Sequence, residues 1–271
     1  MKTITVIIPT YCPGNYLYDC LRSLKEQTLQ DFSCLIVLNG PREPYETQIT
    51  EWLEQLQLKN AELFYSEEKG VSAARNFALD QCSSGYVTFL DDDDMIEPEF
   101  LEQLSAHAAD DRIVSGAITS FPEHDPTQHI TDYYGREFRN KKKDCICKPW
   151  QCRSIFGSAC CKLIPVSKIK TIRFNKRMIF CGEDSLFMFQ VLANRVDQVH
   201  FVREVRYRRR LRSNSASRKH YPLGKLLANR LLLIHLYGVC YLKNIHRIPF
   251  WFYVRSILAS VKGFFLLLRQ R

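Results

Sequence analysis

The stretch that decides the fold is EKGVSAARNFALDQCSSGYVTFLDDDD, residues 68–94. Within it, Gly70 precedes a helical pattern over Val71–Cys82, and Gly85–Leu90 reads as a strand. That strand delivers four consecutive carboxylates, Asp91, Asp92, Asp93 and Asp94, to its C-terminal end. Like charges side by side repel, so folding alone gains nothing from the run. A divalent cation bound by carboxylate oxygens gives it a purpose. Position argues against a merely solvated acidic turn, because open α/β sheets bind ligands at the carboxyl ends of their strands.

Outward from this stretch, strands and helices alternate. Thr3–Ile8 is a buried strand, and Asn15–Gln27 places Leu17, Cys20, Leu21 and Leu24 at helical spacing. Ser33–Leu38 is the next strand, followed by the turn residues Asn39-Gly40-Pro41. Glu46–Leu58 returns to helix and Ala61–Ser66 to strand. The alternation predicts a doubly wound, mostly parallel sheet flanked by helices, an architecture that suits nucleotides. Downstream, Pro98–Ala109 and Asp184–Ala193 read as helices, Ile113–Phe121 as a strand, and Val196–Arg210 as one or two strands. Residues 122–156 are loop-rich, a place for acceptor-binding loops or a plain surface excursion. Two helices follow Pro222, broken at Pro249.

The charge is lopsided. The chain has 271 residues and a net charge of +9, yet residues 1–204 hold all 29 acids with 23 of the 38 basic residues. The remaining 67 residues carry 15 Lys and Arg and no acid, which points to a polyanionic partner, either nucleic acid or anionic lipid. No uncharged run reaches the roughly 18 residues of a spanning helix. Arg255, Lys262 and Arg269 repeat every seven residues beside Phe, Trp, Ile and Leu, the pattern of a helix lying in a membrane interface. The alternative is a helix docked on the main domain with its basic side in water. Eleven cysteines lack framework spacing, and Met1-Lys-Thr leads straight into a strand, which predicts reduced thiols, no secretory leader and a cytoplasmic location. Cys145, Cys147, Cys152, Cys160 and Cys161 cluster, but without paired zinc-knuckle spacing they read as core or loop thiols.

Three elements can converge on one site. The acidic run is the first. Gly70 with the helix start behind it, and the cations Lys69 and Arg75 with Asn76 nearby, offer N–H groups and charge to a phosphate. Gly182-Glu183-Asp184 is the third: alone a helix cap, beside the other two a source of a general base.

The chain resembles family 2 glycosyltransferases with the GT-A fold. The opening ITVIIPTYCPGNYLYDCLRSLKEQTLQDF (residues 4–32), the stretch KGVSAARNFALDQCSSGYVTFLDDDD (69–94), RFNKRMIFCGEDSLFMFQVL (173–192) and YRRRLRSNS (207–215) carry the resemblance, over roughly residues 3–215. It implies that Pro9, Thr10 and Tyr11 border the nucleotide base, and that Lys69 and Arg75 contact the nucleotide and its diphosphate. Asp91 and Asp93 form the D-x-D pair, Asp91 towards the ribose and Asp93 a ligand of Mn²⁺ or Mg²⁺, with Asp91 a further possible ligand. Asp92 belongs to the same donor-binding group, where with Asp94 it shapes the loop and tunes its charge. Asp184 is the implied base of an inverting transfer. His220 stands where some family members supply a third metal ligand; otherwise it is a surface histidine. Leu38-Asn39-Gly40 departs from the family's two aspartates and a glycine, so Asn39 either meets the base, accepting from uracil or donating to cytosine, or is a turn residue.

The QxxRW signature of processive members does not occur, which implies one sugar per encounter. The expectation is a catalytic domain over residues 1–220, divided near 120 into nucleotide and acceptor halves, and a basic amphipathic helical appendage over 221–271. The acceptor would be a glycan or lipid-linked oligosaccharide at the inner face of a bacterial cytoplasmic membrane, in cell-surface polysaccharide or lipopolysaccharide synthesis. Two other readings remain at this stage: a nucleic-acid-binding protein using Arg206–Lys219, and a sugar-phosphate nucleotidylyltransferase. The second lacks its glycine-rich basic loop, since Ile8-Pro-Thr-Tyr11 follows the first strand.

Overall fold

The computed structural model describes residues 3–83, 85–130, 144–151, 157–178, 181–194, 196–213, 215 and 221–269. Strands β1 (Ile4–Thr10), β2 (Ser33–Leu38), β3 (Ala61–Tyr65) and β4 (Tyr86–Phe89) alternate with helices α1 (Asn15–Lys25), α2 (Tyr45–Leu56) and α3 (Val71–Gln81). They pair in parallel in the order β3-β2-β1-β4. All seven residues of β1 and all four of β4 are buried, because helices cover both faces of the sheet there. The helical positions foreseen in α1, Leu17, Cys20, Leu21 and Leu24, are all buried, together with Ser23.

Beyond β4 the sheet becomes mixed. β5 (Met95–Ile96), α4 (Phe100–Ala106), β6 (Arg112–Pro122), β7 (Cys145–Cys147), β8 (Lys162–Pro165), α5 (Glu183–Ala193) and β9 (Gln198–Leu211) complete the nine-stranded sheet. Its order continues β8-β6-β9-β5, with β7 also on β9. β8 runs antiparallel to both β4 and β6, while β6 and β9 are parallel. The wound parallel sheet of the first ninety residues thus carries an antiparallel insertion. β9 is one 14-residue strand, with a register shift against Ser115–Ala117 that re-aims its second half.

Helices α6 (Leu223–Lys243) and α7 (Phe250–Arg269) form a hairpin. α6 buries Leu226, Asn229, Leu233, Tyr237 and Cys240, one stripe at spacings of three and four. Phe189 of α5 packs on Tyr237 and Phe252, with ring centroids 4.8 and 5.8 Å apart. The hairpin therefore docks on the sheet domain through an aromatic seam. Its other side stays apolar and exposed: Leu223, Leu227, Leu231 and Leu242 on α6, and Trp251, Leu258 and Phe265 on α7. By length and composition α6 could also cross a membrane, a test that a core helix passes as well.

Candidate active site

β1, β2 and β4 are neighbours, so their carboxyl ends bring Thr10, Asn39 and Asp91 to one rim. Asn39 donates its backbone N–H to the Thr10 carbonyl (3.0 Å). Its side-chain Nδ2 donates to the carbonyls of Glu68 (3.1 Å) and Gly70 (2.8 Å), tying β2 to the loop before α3. Only nitrogen can donate to two carbonyls, so the amide's orientation is fixed and its oxygen is left as an acceptor. Pro9 and Thr10 are buried, Tyr11 is 47% exposed, and Lys69 is exposed beside the start of α3.

Each aspartate of the run has a different environment. Asp94 is buried, accepts the Tyr207 hydroxyl (2.7 Å) and the Arg210 backbone N–H (2.8 Å), and so ties the loop to β9. Burial, then Asp93 and Asp91, push its carboxyl well above the usual range. Asp92 accepts the Thr10 hydroxyl (2.6 Å), and burial raises its proton affinity against that bond. Burial, then Asp91 and Asp92, push Asp93 up to about 7, although its Oδ2 is paired with Arg212 Nε. Asp91 keeps a 40% exposed side chain and meets Arg75.

Arg75 is the centre of the arrangement. It is buried to 3% exposure, with Nη2 on Asp91 (2.8 Å) and Nη1 on Asp184 (2.6 Å). Burial disfavours its charge, but Asp184 and then Asp91 outweigh that and hold the guanidinium firmly protonated. Its plane lies over Phe174, 5.1 Å from the ring centroid. One fork from Arg75, 109 residues before Asp184, therefore joins the acidic run to it and keeps the two carboxylates within about 8 Å of each other. Asn76 faces elsewhere: its Nδ2 and Oδ1 clamp the backbone of Phe174 at 2.9 and 2.8 Å.

Asp184 enters from the first turn of α5, its second oxygen accepting the Ala159 N–H (3.0 Å). Gly182, at φ +111°, makes the turn before it, and a β-carbon there would lie 2.9 Å from Leu233 of α6. α6 holds this turn directly: Asn229 Nδ2 donates to Cys181 O (3.0 Å) and Tyr237 donates to Ser185 Oγ (2.9 Å). Glu183 has one buried oxygen without a partner among the described residues, and burial with Asp184 pushes its carboxyl up to about 7.

The structure thus brings together Thr10, Asn39, Arg75, Asp91, Asp92, Asp93 and Asp184, with Lys69 on the rim. His220 lies outside the described residues. Sequence reasoning missed Arg212 on Asp93, and Arg210, which reaches Asp19 (2.9 Å), Asp93 O (3.0 Å) and Glu123 O (2.8 Å). It also missed buried Lys162, whose Nζ donates to Cys160 O (2.9 Å). The arginine-rich stretch 207–215 was the only available signal, and it carried no pairing information.

A wound sheet with a polar cluster at its carboxyl rim has the form of the ligand-binding crevice of open α/β proteins. The chain belongs to glycosyl transferase family 2, whose family model matches residues 5–172. Glycosyltransferase GlyG of Streptococcus pneumoniae is 23% identical over 236 residues, 82% of this chain and 75% of the relative. GlyA of the same organism is 38% identical over 103 residues, and this match covers 37% of the chain and 14% of the relative. Among solved structures, residues 1–349 of Staphylococcus aureus TarS in complex with UDP-GlcNAc superpose with a TM-score of 0.69 at 21% identity, covering 88% of this chain and 66% of that one. GalNAc-T7 with UDP, GalNAc and Mn²⁺ gives 0.63 at 12% identity, covering 87% of this chain and 48% of that one. The expected GT-A fold is therefore present, in a chain that spans 14% of GlyA and about two thirds of the TarS fragment.

Proposed function

We propose that this enzyme moves one sugar from a nucleotide sugar, a UDP-sugar, to a hydroxyl of a glycan or lipid-linked acceptor, with inversion and with divalent-metal dependence. The observation that carries the reading is the Arg75 fork, which joins donor-side Asp91 to Asp184. Asp184 takes the proton of the acceptor hydroxyl as that oxygen attacks the anomeric carbon. The bond from that carbon to the nucleoside diphosphate breaks on the opposite face, so an α-linked donor yields a β-glycoside. Arg75 and the Ala159 N–H hold Asp184 in one orientation for this step.

The carboxylate run fits a hard divalent ion. Asp93, pushed up to about 7 by burial and by Asp91 and Asp92, is a crowded carboxylate that such an ion relieves. Asp93 would be its ligand and Asp91 a further one, with Arg212 turned away from Asp93. Bound Mn²⁺ or Mg²⁺ would neutralise charge developing on the leaving diphosphate. Lys69 and the N–H groups at the start of α3 add positive potential beside it. Asn39, with both amide hydrogens on carbonyls, presents an acceptor, which suits the N3–H of uracil and not the N3 lone pair of cytosine. The UDP-GlcNAc complex of TarS and the UDP–Mn²⁺ complex of GalNAc-T7 agree with this choice.

Residues 1–220 form the catalytic unit in this reading and 221–271 an anchor on the cytoplasmic face of a bacterial membrane. Trp251, Leu258 and Phe265 are exposed on the same α7 stripe as Arg255 and Lys262, which supports peripheral contact with anionic lipid during cell-surface polysaccharide synthesis. Within the basic stretch Arg206–Lys219, four described arginines have partners inside the protein, which favours the glycosyltransferase reading over the nucleic-acid one. Arg206 pairs with Glu97 (3.6 Å), Arg208 reaches Pro126 O, and Arg210 and Arg212 are engaged with the acidic run. A panel of nucleotide sugars, assayed for nucleotide release with Mn²⁺, Mg²⁺ or EDTA, tests the proposal. UDP-sugar turnover that EDTA abolishes supports it; turnover of no UDP-sugar, or turnover indifferent to EDTA, overturns it.

A further inference from the structure

At the other end of β9, a second constellation gathers outside the catalytic rim. His200 pairs across β9 with Val114 of β6 on one side and Ile146 of β7 on the other. From Val114 to Phe121, which stands opposite Arg210, β6 runs seven residues, placing His200 about 23 Å from the arginine end of the strand. Asp144 immediately precedes β7, two residues before Ile146, so strand alternation puts it on the His200 face. His107 follows the last turn of α4 and lies over the same face, its ring centroid 4.3 Å from that of His200. One donor atom from each of the three residues lies within 4.8 Å of the other two.

The cluster is unsatisfied as it stands. His200 Nδ1 is buried with no hydrogen-bond partner among the described residues, which a folded protein ordinarily avoids. Burial, then the His107 ring, lowers the proton affinity of His200. Asp144 is exposed, and one of its oxygens is oriented by the Arg203 backbone N–H (2.8 Å). Arg112, whose charge reaches His200, is already paired with Asp111 (3.2 Å).

We propose that His107, Asp144 and His200 bind a borderline divalent transition-metal ion, with zinc the best match. Two imidazoles and one carboxylate are a zinc donor set, whereas the Asp91–Asp94 run offers oxygen alone and suits harder ions. Tetrahedral zinc brings its donors to about 3.3 Å from one another, a contraction that a rotation of exposed Asp144 supplies. Three protein ligands leave a fourth position for water. The bound ion would staple the end of α4 and the start of β7 to β9, independently of the transfer reaction.

The test titrates the full chain with Co²⁺ and Zn²⁺ in millimolar Mg²⁺, which occupies oxygen-only sites. The expected result is one equivalent of Co²⁺ with visible ligand-field bands and no strong near-ultraviolet thiolate absorption, separating it from cysteine binding. Zn²⁺ should displace it and raise the melting temperature. Asp144→Asn, at an exposed position, should weaken binding about tenfold or more, and His107→Ala with His200→Ala should abolish it, all without changing Mg²⁺- or Mn²⁺-supported nucleotide release. Absence of that equivalent, a thiolate spectrum, or undiminished binding in Asp144→Asn and in the double variant overturns the site. Should the double variant fail to fold, Asp144→Asn and the spectrum decide.

Discussion

Replacing Arg75 by Met removes the one group that holds Asp91 and Asp184 together. The side chain is 3% exposed and makes two ion pairs, of 2.8 and 2.6 Å, while Met keeps an apolar stem against Phe174. Breaking a buried ion pair by deleting one partner costs about 3–5 kcal/mol, because the other charge is stranded. Asp91, with a 40% exposed side chain, rehydrates readily, whereas Asp184, at 16%, does so poorly. The loss therefore falls at the lower end, about 3 kcal/mol. In a chain of this size each kcal/mol lowers Tm by about 2–4 °C, so the shift is roughly 6–12 °C. Urea and thermal denaturation measure it. Adding Asp91→Asn to Arg75→Met should recover about 1 kcal/mol, since one of the two stranded charges is gone. Transfer should fall while the protein remains folded at the assay temperature, because Asp184 loses its orientation. A loss within about 0.5 kcal/mol, or strict additivity with Asp91→Asn, would refute the fork as the link between the two halves of the site.

Glu183→Gln should stabilise the protein at pH 8 by about 1–3 kcal/mol and leave it unchanged near pH 4. The folded carboxyl, at about 7, lies above its ordinary 4.5, so its favourable contribution is complete below pH 4.5 and disappears as pH rises to 7. A gap that does not vary with pH contradicts this. Tyr237→Phe and Asn229→Ala, which loosen the turn carrying Asp184 from the α6 side, should lower kcat with KM little changed. A rise in KM alone would place them in donor binding instead. Leu231→Glu with Leu258→Glu, at positions 58% and 60% exposed, should abolish sedimentation with anionic vesicles and spare the melting temperature. Unchanged sedimentation would sink the membrane reading.

The parallel half of the sheet was legible because it obeys local rules. β1 and β4 are short apolar runs, β1 running through Pro9 to Thr10 and β4 stopping just before the aspartates, and α1 shows its buried stripe in plain spacing. The insertion was not. β5 has two residues and β7 three, too few for any periodicity to register, and β8 is a four-residue run lost among loops. At the candidate site, residue types pointed to groups that the fold brings close together, but their partners did not follow from them. The charge of Arg75 suggests a phosphate contact but says nothing of its pairing with Asp91 and Asp184, and Asn76 beside it clamps Phe174. Asp93 meets Arg212 and Asp94 meets Tyr207 across more than a hundred residues, contacts that only the β9 register creates. The C-terminal helices dock on the main domain, and the membrane contact proposed for them rests on the side they leave exposed. One stripe of α6 is buried on α5, while the far side keeps its leucines in solvent.

The most direct measurement is Asp184→Asn, with UDP-sugar binding followed by calorimetry and transfer followed by product formation. The account predicts donor affinity within about threefold of the parent, because the donor contacts lie on other residues, and transfer lowered by about a hundredfold or more. Turnover near that of the parent would contradict the assignment of Asp184 as the base.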